Sequence, residues 1–429
     1  MNLLEKARHV AATLKGRGAL RKKLRGPADL QYAIAESIGM LNRDAWQKAA
    51  AGGGFFMSWE YLSAIERALP GNILPRYALI FARSEDDSRI GAPIAAMVMQ
   101  AIDISLAQMR PLPASATSAK AATAKLAAPI HEKISAARQR VLACGNFLTF
   151  GMHGVAFADD LDKTDLPTAW HGVAEVLYRV RQADKLAGTT QFVLIKDLHA
   201  PHTATARLLE NLSYRYVGTE PDMVLALDPA WKSYDDYLGG LASTYRVNLR
   251  NGVLKPIDEA GCRLEHADDV APIQDTLYAL YLAVQKNASI RPFTLRADYF
   301  AALRAAAGEK FHCSILKQDE RILGFLMSIA DGETSIAYHI GFDRDAAQDL
   351  PVYLRLLHAG IADAIDMGCR QVSFGRTALE PKASLGAKPR DFGVLVRHRQ
   401  PVLNKLIKGL LPGIEHEDAP ARNPFKKPK

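Results

Sequence analysis

The feature that most limits what this chain can fold into is a strand–helix–strand order that occurs twice, about 180 residues apart. In the later copy Ser335–Phe342 is a short β-rich run, Leu350–Met367 has helical spacing, and Arg370–Thr377 is β-rich again. Gly368 stands where a helix C-cap calls for a positive φ. In the earlier copy Asn146–Phe157 reads as the first strand and carries His153, Ala169–Leu186 as the helix, and Thr190–Asp197 as the second strand, behind Gly188. One offset sets Gly188 on Gly368, Gln191 on Gln371, Lys196 on Arg376 and Asp197 on Thr377. The order of elements agrees as well as the residues, which points to an internal duplication.

A repeated βαβ unit predicts an α/β fold with two mixed sheets, each flanked by helices. Ligands in such sheets bind beyond the carboxyl ends of strands. There the later copy places Arg376, Thr377, Glu380 and Lys382. Tyr77–Arg83 with Pro93–Ile104, and Phe311–Leu316 with Ile322–Ala330, read as antiparallel pairs joined by polar turns. Pro27–Ala50 has helical patterning, Tyr234–Arg250 reads as one helix, and Pro111–Pro129 is an Ala/Ser/Thr/Pro-rich connector.

The chain has 429 residues, enough for two or three domains. No apolar run reaches the ~20 residues of a membrane-spanning helix, and Met1–Arg25 lacks the apolar core of a secretory signal. The four cysteines are widely separated and form no CxxC pair, which suits a reducing cytoplasm and speaks against a zinc site. His199 and His202 flank Pro201 with no third ligand in view, so no metal is expected there. Net charge is +8, but residues 1–25 carry +7 and residues 421–429 carry +4, leaving −3 for the rest. The basic ends suit either peripheral contact with an anionic membrane or plain solvation.

Two passages resemble the GNAT acyltransferases, and in their doubled arrangement the Fem-type peptidyl transferases. One runs from Asn211 through Leu227 into Tyr234–Arg250; the other is Ser373-Phe-Gly-Arg-Thr377 with Lys382 behind it. Helical spacing and charge mark residues 1–26 as a basic amphipathic segment and 413–429 as a basic flexible tail, and the resemblance implies 27–228 as a degenerate first GNAT-like domain and 229–412 as a second one carrying the active site. It implies acyl transfer to an amine, on a small-molecule or glycan acceptor of cell-envelope or polysaccharide type. The donor would be acetyl-CoA, another acyl-CoA, or an aminoacyl-tRNA. A non-catalytic binding protein that kept the fold is the third reading. GNAT enzymes hold the CoA pyrophosphate on a glycine-containing turn before the long helix. Here the matching turns, Asp343–Asp349 and Asp159–Asp165, contain no glycine and are acidic.

Within this resemblance His339 is the candidate base, since an imidazole titrating near neutrality suits proton abstraction; a core histidine is the plainer alternative. Tyr338 is the second catalytic candidate, and in a regular strand it would point away from His339. Arg376 and Lys382, with Thr377 and Glu380, are expected to bind an anionic substrate group in a solvated cleft, or else to pair with a nearby acid.

Overall fold

The computed structural model describes residues 18–84, 86, 89–105, 138–286, 292–410 and 420–426. The amphipathic run Leu3–Leu14 and the Pro111–Pro129 connector lie outside them.

The first half contributes β1 (Leu30–Ala35), β2 (Ile73–Ala82), β3 (Pro93–Ser105), β4 (Arg138–Cys144), β5 (Val155–Phe157), β6 (Thr190–Leu198) and β7 (Arg215–Ala226), with helices α1 (Trp59–Arg67) and α2 (Leu166–Ala183). The second half opens with α3 (Tyr234–Gly240) and β8 (Cys262–His266). α4 (Gln274–Gln285), α5 (Tyr299–Ala307), β9 (Phe311–Gln318), β10 (Arg321–Asp331) and β11 (Thr334–Phe342) follow. α6 (Val352–Asp366), β12 (Gln371–Ser373), α7 (Leu379–Ser384) and β13 (Lys388–His398) complete it.

Among the described residues thirteen strands join one sheet, ordered β1-β2-β3-β4-β6-β13-β7-β12-β11-β10-β9-β8, with β5 on β3. Each half runs as an antiparallel meander of four strands, then a parallel pair across a helix: β4 beside β6, and β11 beside β12. The strand order therefore repeats, as the sequence duplication predicts. The halves are not separate sheets, however. β7 follows β6 in the chain but pairs with β12, while β13 follows β12 but pairs with β6. β7 and β13 then pair antiparallel with each other and close the centre. Through this exchange each half's sheet is completed by the other's last strand.

Burial pattern follows sheet position. β10 is buried at eight consecutive residues, Ile322–Ile329, because helices cover both of its faces. On one face a single core joins Trp46, Phe56 and Tyr61 of the first half to Tyr299, Phe300, Phe325 and Tyr338 of the second. On the other face α6 packs on β10 and β11 through Val352, Leu356 and Leu357.

Four local expectations change. Asn146–Phe157 is not one strand: β4 and β5 both pair with β3, and residues 145–154 leave the sheet between them. The neck of this loop is pinched, with Val98 donating to Gly154 O and accepting from Gly145 N. A Cβ on Gly154 would lie 2.5 Å from Gly145 N, so only glycine fits. Pro27–Ala50 begins with edge strand β1 rather than a helix, because Leu30 and Tyr32 pack toward α2. The helix over Tyr234–Arg250 breaks at Gly239-Gly240, where Leu241 turns extended and pairs with Phe425. That pairing also corrects the flexible tail over part of its length. In residues 420–426 Phe425 packs on Trp231 and Tyr237, Arg422 pairs with Glu380, and Lys426 donates to Gly239 O.

Candidate active site between the two halves

The parallel pair β11–β12 holds for three rungs only, ending at Ile336 beside Ser373. Beyond this the chain follows β7: Phe374 N–H donates to Met223 O, and Met223 N–H to Gly375 O. β11 runs on to Phe342, and among the described residues no strand lies on its β12 side. Its main-chain groups on that side can take a partner from outside the sheet.

A bulge marks the same place. β10 pairs Met327 with His339 and Ser328 with Ala337, so Tyr338 is the extra residue. The alternation expected of a regular strand fails here. The Tyr338 and His339 rings lie on one side, 4.1 Å apart. In the first half the ten-residue loop 145–154 occupies the equivalent position between β4 and β5. His153 thus sits in that loop and not on a strand.

Both aromatic candidates are deep. Tyr338 OH bonds Tyr299 OH at 2.5 Å and Tyr61 OH at 3.4 Å, and Tyr61 OH accepts from Asn146. Burial raises the Tyr338 hydroxyl well above its usual range. His339 lies among Tyr281, Tyr299 and Phe300, and its Nε2 is buried with no hydrogen-bond partner among the described residues. Burial pushes this imidazole down to about 3, so it is neutral and weakly basic at neutral pH. The near-neutral base anticipated from sequence is not found at this position.

The cationic candidates are engaged rather than free. Arg376 is ion-paired with Asp197 at the end of β6 and lies over the Phe392 ring. Asp197 is buried and also accepts from Lys196 Nζ (2.8 Å) and Gly151 N (3.1 Å). Burial pushes its carboxyl up, but Lys196 and Arg376 outweigh that and hold it below the usual range. Lys382 is buried in α7 and donates to Gly375 O (3.2 Å) and Arg376 O (2.6 Å); burial brings its ammonium down to about 8. Thr377 is exposed at φ 62°, beside Ala378 at φ 46°, and the offset partner of Thr377, Asp197, has φ 56°. Non-glycine residues rarely hold this conformation. Glu380 is exposed and takes Arg422 as its partner. The solvated anion cleft expected around Arg376 is therefore a braced junction.

The cleft itself is next to it, with a volume of about 150 Å³, on the face opposite α6. The first half supplies Gly151 and His153 from the loop; the second supplies Asp331, Ile336 and Ser373. His153 Nε2 lies 3.3 Å from Asp331 Oδ2, and its Nδ1 is 3.0 Å from Thr149 Oγ1. Asp331 also accepts from Phe55 N. Asp222, fully buried, accepts from Ser373 Oγ (2.6 Å), Gly375 N (3.1 Å) and Arg390 (2.6 Å). Sequence reasoning missed Asp331, Asp222 and Arg390, whose partners are distant in the chain. For His153, the flanking Gly151 and Gly154 were the signal of a loop.

A second cleft, about 330 Å³, lies at the N-terminus of α6, lined by Arg344, Gln348, Pro351 and Tyr353. The preceding turn does not fit a pyrophosphate. Asp343 Oδ1 already accepts from Asp345 N (2.9 Å) and Ala346 N (3.1 Å), while Ala347, Gln348 and Leu350 N–H groups bond within the turn. Asp345 and Asp349 add negative charge.

Residues 243–383 match a family model described as an acetyltransferase (GNAT) domain. The comparison with curated proteins finds no match. Among solved structures, FemX is similar at 12% identity and TM-score 0.46, over 82% of this chain and 93% of that one. A tandem GNAT protein from the clavulanic acid biosynthesis pathway is similar at 13% identity and TM-score 0.44, over 87% and 99%. The C-terminal domain of a putative lysylphosphatidylglycerol synthetase from Agrobacterium fabrum is similar at 10% identity and TM-score 0.45, over 87% and 98%. Among the described residues no helix is long and apolar enough to cross a membrane.

Proposed function

We propose that this chain, whose second half carries a GNAT acetyltransferase domain, moves an acyl group from an activated ester or thioester onto an amine held in the cleft between its halves. One observation carries the reading: β11 and β12 part after Ile336 and Ser373, the two residues that also line the cleft containing His153 and Asp331. Two carboxylates, Asp222 and Asp331, line that cleft, and Arg390 neutralises the first. This suits an incoming ammonium group. The His153–Asp331 pair takes one proton from it, and the neutral amine attacks the acyl carbon. A C–N bond forms, the developing oxyanion meets main-chain N–H groups of β11 beyond Ile336, and the bond to the leaving oxygen or sulfur breaks as that atom gains the proton the attacking nitrogen gives up. Envelope-type amines are the acceptor class to try first, on the family resemblance alone.

The self-filled turn at Asp343 favours a second, narrower reading, in which the donor is an aminoacyl ester rather than an acyl-CoA. Calorimetry with acetyl-CoA, and filter binding with aminoacyl-tRNA across a salt series, separates the two donors. Transfer assays with each donor and a panel of amines test the activity. The proposal is lost if neither donor gives acylated product, or if His153→Ala and Asp331→Asn leave the turnover of wild type unchanged.

A further inference from the structure

One polar cluster lies away from the cleft. α6 is apolar where it meets β9, β10 and β11, yet Asp363 is fully buried in that face. Its Oδ1 accepts from Ser314 Oγ and its Oδ2 from Ser328 Oγ, both at 2.8 Å. Two neutral hydroxyls orient a buried carboxylate but do not neutralise its charge. The positive partner must come from elsewhere, and the groups aimed at Asp363 Oδ1 are His266 Nδ1 (3.8 Å) and His312 Nδ1 (4.0 Å). His312 Nδ1 is buried and has no hydrogen-bond partner among the described residues. The three ligand atoms lie within 4.8 Å of one another.

We propose that His266 on β8, His312 on β9 and Asp363 on α6 form a binding site for a divalent transition-metal ion, zinc in the first instance. The spacing supports a shared ion over direct pairing. An imidazole bonded to a carboxylate would stand at about 2.7–3.2 Å. Three atoms each about 2.0–2.2 Å from one tetrahedral ion stand roughly 3.3 Å apart, and His266, exposed at the end of β8, is free to close the remainder. Two imidazole nitrogens and one carboxylate oxygen are a donor set that borderline ions such as zinc accept, with a position left for water. The serines act as the outer partners that fix the carboxylate.

Asp363 lies eleven residues beyond Val352, about 16 Å along α6 from the helix end that faces the second cleft. The ion would thus tie the edge strands to the far end of that helix, on the sheet face opposite the cleft of His153 and Asp331.

The test uses the full chain, stripped with EDTA and kept reduced, titrated with zinc chloride by calorimetry and with cobalt chloride by visible absorption. One equivalent should bind, with cobalt d–d bands, no thiolate charge-transfer band, and a raised Tm. His266→Ala should weaken binding at least tenfold, and His266→Ala with His312→Ala should abolish it. Asp363→Asn is the weaker probe because it could unfold the core, whereas His266 is exposed. No binding at micromolar zinc, affinity unchanged in the double variant, or a thiolate band from any of the four cysteines would each overturn the proposal.

Discussion

Asp197 and Arg376, 179 residues apart, form an ion pair across the junction of the two halves. Asp197 is next to last in β6 and Arg376 lies three residues past the end of β12, the equivalent strand of the repeat, so the first half supplies the anion and the second the cation. Asp197 is fully buried and keeps only Lys196 as a second cation.

Arg376→Ala should therefore destabilise the fold by about 1–3 kcal/mol, below the usual cost of opening a fully buried pair because Lys196 remains. Of the two sequence readings, substrate binding would leave stability intact, whereas pairing with a nearby acid predicts this loss. Urea denaturation reads it directly. A midpoint equal to wild type would show that the pair contributes nothing.

Acid should act through the same carboxylate. Its native value is held below the unfolded one, so its contribution is present above about pH 4, the unfolded value, and is lost as pH falls through the lower native value. Asp197→Asn should be less stable than wild type at pH 6, and the gap should close toward pH 2. Tm scans over that range decide it; a constant gap would place the effect outside ionisation.

His339 and His358 work in a higher window. Burial pushes both down to about 3, so between about pH 6.5 and 3 the unfolded chain binds more protons than the native one. Stability should fall as pH drops from 6.5. His339→Phe, which also removes the unpartnered Nε2, should flatten that slope. If the slopes of variant and wild type coincide from pH 6.5 to 4, His339 is not the buried neutral group described.

Tyr338→Phe removes a hydroxyl that bonds Tyr299 and Tyr61. Two buried hydroxyls lose a partner, at a cost of about 1–3 kcal/mol. Since Tyr61 belongs to the first half and Tyr299 to the second, a double-mutant cycle of Tyr338→Phe with Tyr61→Phe should show coupling; strict additivity would deny it.

The C-terminal strap makes a simpler claim. Phe425 packs on Trp231 and Tyr237, and a Cβ on Gly386 would lie 2.4 Å from its ring. Phe425→Ala should cost about 1–2 kcal/mol, less than a fully buried phenylalanine because the ring is half-exposed. A Tm matching wild type would return these residues to the flexible tail first expected.

What the sequence disclosed was local. Gly188 and Gly368, and the strands behind them, stood out because turn chemistry and period are written within a few residues. The β4 counterpart of β11 was not legible, since ten residues intervene where β11 has one bulged tyrosine, and apolar Phe147, Phe150 and Met152 mimic a strand there. Arg376 and Lys382 fell at the right strand end, but their roles depend on Asp197 and on carbonyls ordered by tertiary contacts. No short-range pattern tells β7 that its neighbour is β12.

That exchanged pairing also sets when the protein can finish folding. The first half needs β13 (Lys388–His398) beside β6 (Thr190–Leu198), far earlier in the chain. A ribosome delivers residues from the N-terminus, so the first half emerges with β6 bare on one side and must wait for nearly the whole of the second. The pairing of residues some 200 apart makes the last step of assembly a long-range one, slow by topology and exposed to pairing with a second chain meanwhile. The two halves of this molecule are thus a single folding unit, although their order reads as two.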